Sequence, residues 1–141
     1  MTKTTRRRLA ALMAAGLAFA AGAASAQQSA TVRFEPGSDT ATLSGAVKGN
    51  AYFDYVLGAR AGQTMSVLLT IDGTNGHGSA YFNILPPGSD NVAIFNGSTA
   101  PDRFGEVVLS QSGDHTIRVY LMGNDKDAGK TVGYTLSVTI Q

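Results

Sequence analysis

Between Tyr134 and Ile140 every second side chain is apolar and every intervening one is Ser or Thr. A period of two fits a strand with one face buried and the other wet, and no helix can satisfy it. Met65 to Ile71 repeats the pattern, with Leu68 as the one apolar intruder on the wet side. Shorter runs rich in Val, Ile, Thr, Tyr and Phe fall at 30–34, 41–47, 52–57, 80–85, 92–95, 106–109 and 115–122. Between them stand turn signals: Pro36-Gly37, Lys48-Gly49-Asn50, Ala61-Gly62-Gln63, residues 72–78, Pro86-Pro87-Gly88 and Ser112-Gly113-Asp114. With no helical period to supply crossovers, short strands of this kind predict an all-β fold. Two stacked antiparallel sheets of jelly-roll or related Greek-key type are expected. An immunoglobulin sandwich is the alternative, and it lacks its usual Trp and Cys here.

The N-terminus follows different rules. Lys3, Arg6, Arg7 and Arg8 precede an apolar run over 9–21, and Ala24-Ser25-Ala26 supplies the small residues of an A-x-A cleavage site. These features predict a cleaved signal peptide over 1–26 and a single domain over 27–141. The apolar run is too short for a permanent membrane anchor, and a chain without cysteine cannot be a lipoprotein. The style of the signal is bacterial, which predicts the periplasm, with the extracellular space as the alternative.

Removing 26 of 141 residues leaves 115, enough for one modest core. Four of the eleven basic residues leave with the signal and all ten acids stay, so seven against ten gives −3. Such a domain lacks the basic footprint of a nucleic-acid binder. Without cysteine it has neither disulfides nor thiolate metal sites, and the core must carry its stability.

Nothing in the chain assembles a catalytic motif or implies a cofactor, which predicts a non-enzyme. His77 lies in the turn Asn75-Gly76-His77-Gly78, and His115, just after Ser112-Gly113-Asp114, reads as an exposed side chain on a hairpin. Ser89-Asp90-Asn91 matches one β-lactamase element without its companions. Asn124-Asp125-Lys126-Asp127-Ala128-Gly129 alternates oxygen-bearing side chains before a glycine, so Asp125 and Asp127 offer a calcium alternative to a plain solvated turn. Its bidentate twelfth-position acid is missing. Tyr52 and Asp54 share one face of their strand and Phe53 and Tyr55 the other, so Tyr52 is a candidate for display to a partner.

In its order of segments the chain resembles the periplasmic inhibitors of goose-type (g-type) lysozyme, and more distantly the bacterial pre-peptidase C-terminal β-sandwich domains. The matching pieces are Val32-Arg33-Phe34 with Gly37, Ser44 to Gly49 with Tyr52 and Tyr55 after it, and Ala59-Arg60-Ala61-Gly62-Gln63. Pro87-Gly88, Ser112-Gly113-Asp114, Ile117-Arg118-Val119 and the Tyr134 strand complete it. The resemblance implies a non-catalytic binding protein whose loops block a lysozyme cleft. The contact residues it implies are Asn50, Tyr52, Ser112, Gly113, His115, Asn124, Lys126 and Lys130. The resemblance implies tyrosine where Asn50 and His115 stand, and arginines whose nearest counterparts here are Gly123 and Asp127. Another envelope protein, or a glycan, is the alternative partner.

Overall fold

The computed structural model describes residues 28–141. The expected signal peptide and its cleavage point lie outside them. Among the described residues nine strands are formed: β1 (Gln28–Thr31), β2 (Thr40–Lys48), β3 (Tyr52–Ala59), β4 (Thr64–Thr74), β5 (Ala80–Leu85), β6 (Phe95–Asn96), β7 (Phe104–Val108), β8 (Gly113–Leu121) and β9 (Thr131–Ile140). They form two sheets, one ordered β1-β3-β8-β5-β6 and the other β2-β9-β4-β7. From β2 onward the interleaving is that of a jelly roll, because apart from β5 with β6 the strands paired in space are not consecutive in sequence.

The strict alternation of β9 becomes a strict alternation of burial. Val132, Tyr134, Leu136 and Val138 are fully buried, and the residues between them are half-exposed. β9 pairs antiparallel with β2 on one side and β4 on the other. Its apolar row therefore faces Phe82, Ile84, Ile117 and Val119 of the opposite sheet across one core. Burying side chains of this size contributes about 1.5–3 kcal/mol each.

Tyr55 and Tyr134 bring a polar tie into that core. Their hydroxyls meet at 2.7 Å and satisfy each other. Space for the pair comes from Gly45, where a Cβ would stand 2.7 Å from one hydroxyl and 2.8 Å from the other.

Several sequence expectations are corrected. β1 lies earlier than the run at 30–34 and pairs parallel with β3, so this sheet is mixed at its edge. The segment after β1 crosses to the other sheet before β2 begins, which leaves β1 pointing the same way as β3. The run at 92–95 shrinks to β6, since Ser89 Oγ donates to Val92 O and accepts from Val92 N–H and so holds 89–92 in a turn. The oxygen-rich turn at 124–129 is in part a short helix, α1 (Gly123–Asp127). His115 is buried at 1% exposure, because β8 starts at Gly113 and puts position 115 on the inward row with Ile117 and Val119.

Candidate binding surface

Three loops meet at one end of the sandwich. The β2–β3 turn is closed by Ala51 N–H donating to Lys48 O at 3.1 Å, with Gly49 at a φ of 59° that disfavours any side chain. Gly49 N–H also donates to Lys130 O at 2.9 Å, tying this turn to the segment between α1 and β9. Thr131 N–H donates to Asn75 Oδ1 at 3.0 Å, which adds the β4–β5 loop.

Asp125 anchors the assembly. Its carboxylate is fully buried and accepts N–H bonds from His77 at 2.9 and 3.1 Å and from Ser79 at 2.8 Å. The Ser79 and His77 amides hold this carboxyl below the usual carboxylate range. Arg103 grips the same loop from its carbonyl side, donating from Nε to Ala80 O and from Nη2 to Gly78 O, both at 2.8 Å. Asp102 and Arg103 have φ of 58° and 51°. That left-handed conformation costs about 1–2 kcal/mol per residue, which the two guanidinium bonds offset.

On this platform Asn50, Asn124 and Lys126 are exposed and Lys130 is half-buried. Exposed Lys48 joins them at the end of β2. Tyr52 opens β3 beside Asn50. The Arg118 guanidinium lies 4.1 Å over its ring and forms a bidentate pair with Asp54 at 2.8 and 2.9 Å. A third donor of Arg118 reaches Asp90 O at 2.9 Å, and the Asp54 carboxylate pushes the guanidinium further up from its ordinary value. Cross-strand register aligns Tyr52 with Tyr120 and Tyr120 with Tyr81 on the outer face. Tyr120 donates to Asn83 Oδ1 at 2.8 Å, and Arg103 lies 5.3 Å over Tyr81.

Five of the eight expected contact residues thus come together: Asn50, Tyr52, Asn124, Lys126 and Lys130. Ser112, Gly113 and His115 do not join them. They sit at the opposite end of the nine-residue β8, about 27 Å away at strand rise. There Ser112 Oγ accepts Ala61 N–H at 2.9 Å, and His115 Nδ1 lies 3.1 Å from Gly113 O inside the fold. Arg118, Asp54, Arg103 and Lys48 belong to the surface without having been singled out. The parity of Tyr52 and Asp54 hinted at Asp54, and Lys48 and Arg118 stood within matching segments, while nothing pointed to Arg103. Asp125 is committed to backbone amides while Asp127 is exposed, and among the described residues no three His, Asp or Glu converge to hold a metal ion.

A jelly roll whose loop end is tied into one lysine-bearing, tyrosine-flanked platform is, as a class, a small protein-recognition module. Known proteins narrow the class. Over 124 residues the chain is 30% identical to the inhibitor of g-type lysozyme of Escherichia coli K12, covering 87% of this chain and 85% of that protein. The crystal structure of a periplasmic inhibitor of g-type lysozyme from Aeromonas hydrophila matches with a TM-score of 0.69 and 34% identity, over 82% of this chain and 100% of that one. The Salmonella Typhimurium counterpart matches at 0.64 and 26%, with the same coverage. No family model matches the chain. The chain belongs to the family of the periplasmic inhibitors of g-type lysozyme.

Proposed function

We propose that this protein is a non-catalytic periplasmic inhibitor that binds a g-type lysozyme and fills its cleft with the platform of Asn50, Tyr52, Asn124, Lys126 and Lys130. The observation that carries this is the bond from Gly49 N–H to Lys130 O. It joins the turn that bears Lys48 and Asn50 to the segment that bears Lys126 and Lys130. A carboxylate in a glycosidase cleft is a natural target for such ammonium groups, and desolvation on docking strengthens the attraction. Lysine supplies charge here without the planar fork of arginine, so it fixes orientation less tightly. The Arg118 stack immobilises Tyr52 before contact, which spares part of the ordering cost of binding.

The test is a titration of residual g-type lysozyme activity with the chain processed after Ala26, at low and physiological salt. Saturable inhibition is expected, weakened about tenfold or more in a Lys126→Ala, Lys130→Ala double variant. Absence of inhibition by a folded wild-type domain at micromolar concentration removes the proposal.

A further inference from the structure

At the end of the sandwich away from the lysine platform, the strand ends of both sheets frame an open groove of about 530 Å³. That volume lies within the range of small-ligand sites, about 300–1,000 Å³. Phe34, Ala59 and Ile140 give it an apolar floor. Arg60 brings a cation to its rim, and Asp39 and Asp114 bring carboxylates. Gly58 and Gly113 line its walls, Gly113 backed by Pro87.

Opposite charges lining one groove would ordinarily pair with each other. Among the described residues the one salt bridge is that of Arg118 with Asp54, on the outer face of a sheet. Arg60 and Asp114 are exposed and form no ion pair with each other, so each keeps its capacity for an external partner. Asp39 is steadied by Gln141 Nε2 at 3.0 Å and Thr40 Oγ1 at 3.2 Å and retains acceptor sites beyond these.

We propose that this groove binds a short zwitterionic peptide. Its carboxylate meets Arg60, its ammonium group meets Asp114 and Asp39, and an aliphatic side chain rests on Phe34, Ala59 and Ile140. A phosphorylated ligand is disfavoured by the two carboxylates, and a neutral sugar makes no use of opposed charges. Because the length of β8 separates the groove from the lysine platform, peptide binding and lysozyme inhibition are separable properties of one domain.

Alanyl-leucyl-alanine is the probe, used beside its C-terminal amide and its N-acetyl form, with the backbone amide resonances of Gly58, Gly113 and Asp114 as the readout. The free peptide is expected to shift these resonances saturably, with a Kd of about 1 mM or tighter. Amidation of the peptide, or Arg60→Gln, weakens it about tenfold, and acetylation or Asp114→Asn does the same. Among the described residues neither the Arg60 nor the Asp114 side chain holds a hydrogen bond or ion pair, and an amide spectrum unchanged beyond the substituted position and its neighbours verifies that the variants are folded. Equal binding of the blocked peptides, shifts at the lysine platform instead, or no saturable shift overturns the proposal. So do concentration-dependent shifts without peptide, which would assign the groove to a second copy of the chain.

Discussion

Asp125 and Arg103 hold the two polar sides of a single loop: the carboxylate takes the amides of His77 and Ser79, and the guanidinium takes the carbonyls of Gly78 and Ala80. The loop between β4 and β5 is therefore a clamped strap, and α1 is fixed through the same carboxylate. Asp125→Ala leaves the part-buried N–H groups of His77 and Ser79 without their acceptor and frees the segment bearing Lys126 and Lys130. Thermal unfolding of this variant is expected to begin at lower temperature, and lysozyme affinity is expected to fall although no proposed contact residue has been changed.

The same carboxylate predicts an acid limb. Its folded pKa lies below the ordinary 3.8, so its contribution is present above that value and is lost as pH falls through the folded one. Denaturant titrations between pH 5 and pH 2 are expected to show wild-type stability falling more steeply than that of Asp125→Asn. Parallel curves would mean that the buried carboxylate is not what the fold protects.

An alkaline limb belongs to the tyrosine pair. Burial pushes the hydroxyls of Tyr55 and Tyr134 up, Tyr134 most strongly. An unfolded tyrosine ionises near 10, so the contribution is full below that pH and is lost as pH rises through the folded values. Tyr55→Phe should cost about 1–3 kcal/mol at neutral pH by orphaning its partner, and the double Phe variant should cost less than the two singles summed. Gly45→Ala forces a methyl group against both hydroxyls and should cost about 1–3 kcal/mol, measurable by urea unfolding.

Arg118→Lys keeps the charge but cannot form the bidentate pair with Asp54 while stacking on Tyr52. A loss of about 1–2 kcal/mol is expected, with Tyr52 released from its fixed pose. Fluorescence or NMR reporting a mobile Tyr52 ring, accompanied by faster lysozyme dissociation, is the outcome that supports pre-ordering. Unchanged dissociation would confine the stack to stability.

Asp127 stands exposed at the last position of α1, where the resemblance to the lysozyme inhibitors implies an arginine. Asp127→Arg changes the platform by two charges and places a cation where a helix end favours one. Inhibition of g-type lysozyme should tighten about tenfold, most visibly at low salt. The same substitution at Gly123 is expected to gain less, since its φ of 65° strains any side chain.

The strands were legible wherever burial alternates along one element, as in β9 and β4, because a period of two is a local property. Partners were not legible. Asp54 and Arg118 lie 64 positions apart, and only the register of β3 on β8 makes them a clamp. α1 is too short to leave a helical period and owes its place to Asp125 reaching a distant loop. His115 was misplaced because Ser112-Gly113-Asp114 reads as a turn while Gly113 already belongs to β8, and how far a residue sits inside its strand is not visible along the chain. For the same reason the eight expected contacts looked like one group along the chain, when β8 holds three of them at its far end.

β9 follows every other strand in the chain, yet it occupies the middle of its sheet, between β2 and β4. Until the ten-residue β9 arrives, β2 has no lateral partner and β4 has only β7, so the sheet cannot close between them. Any machine that delivers this polypeptide N-terminus first therefore handles a thread rather than a particle, and the domain snaps shut only after Ile140 has emerged.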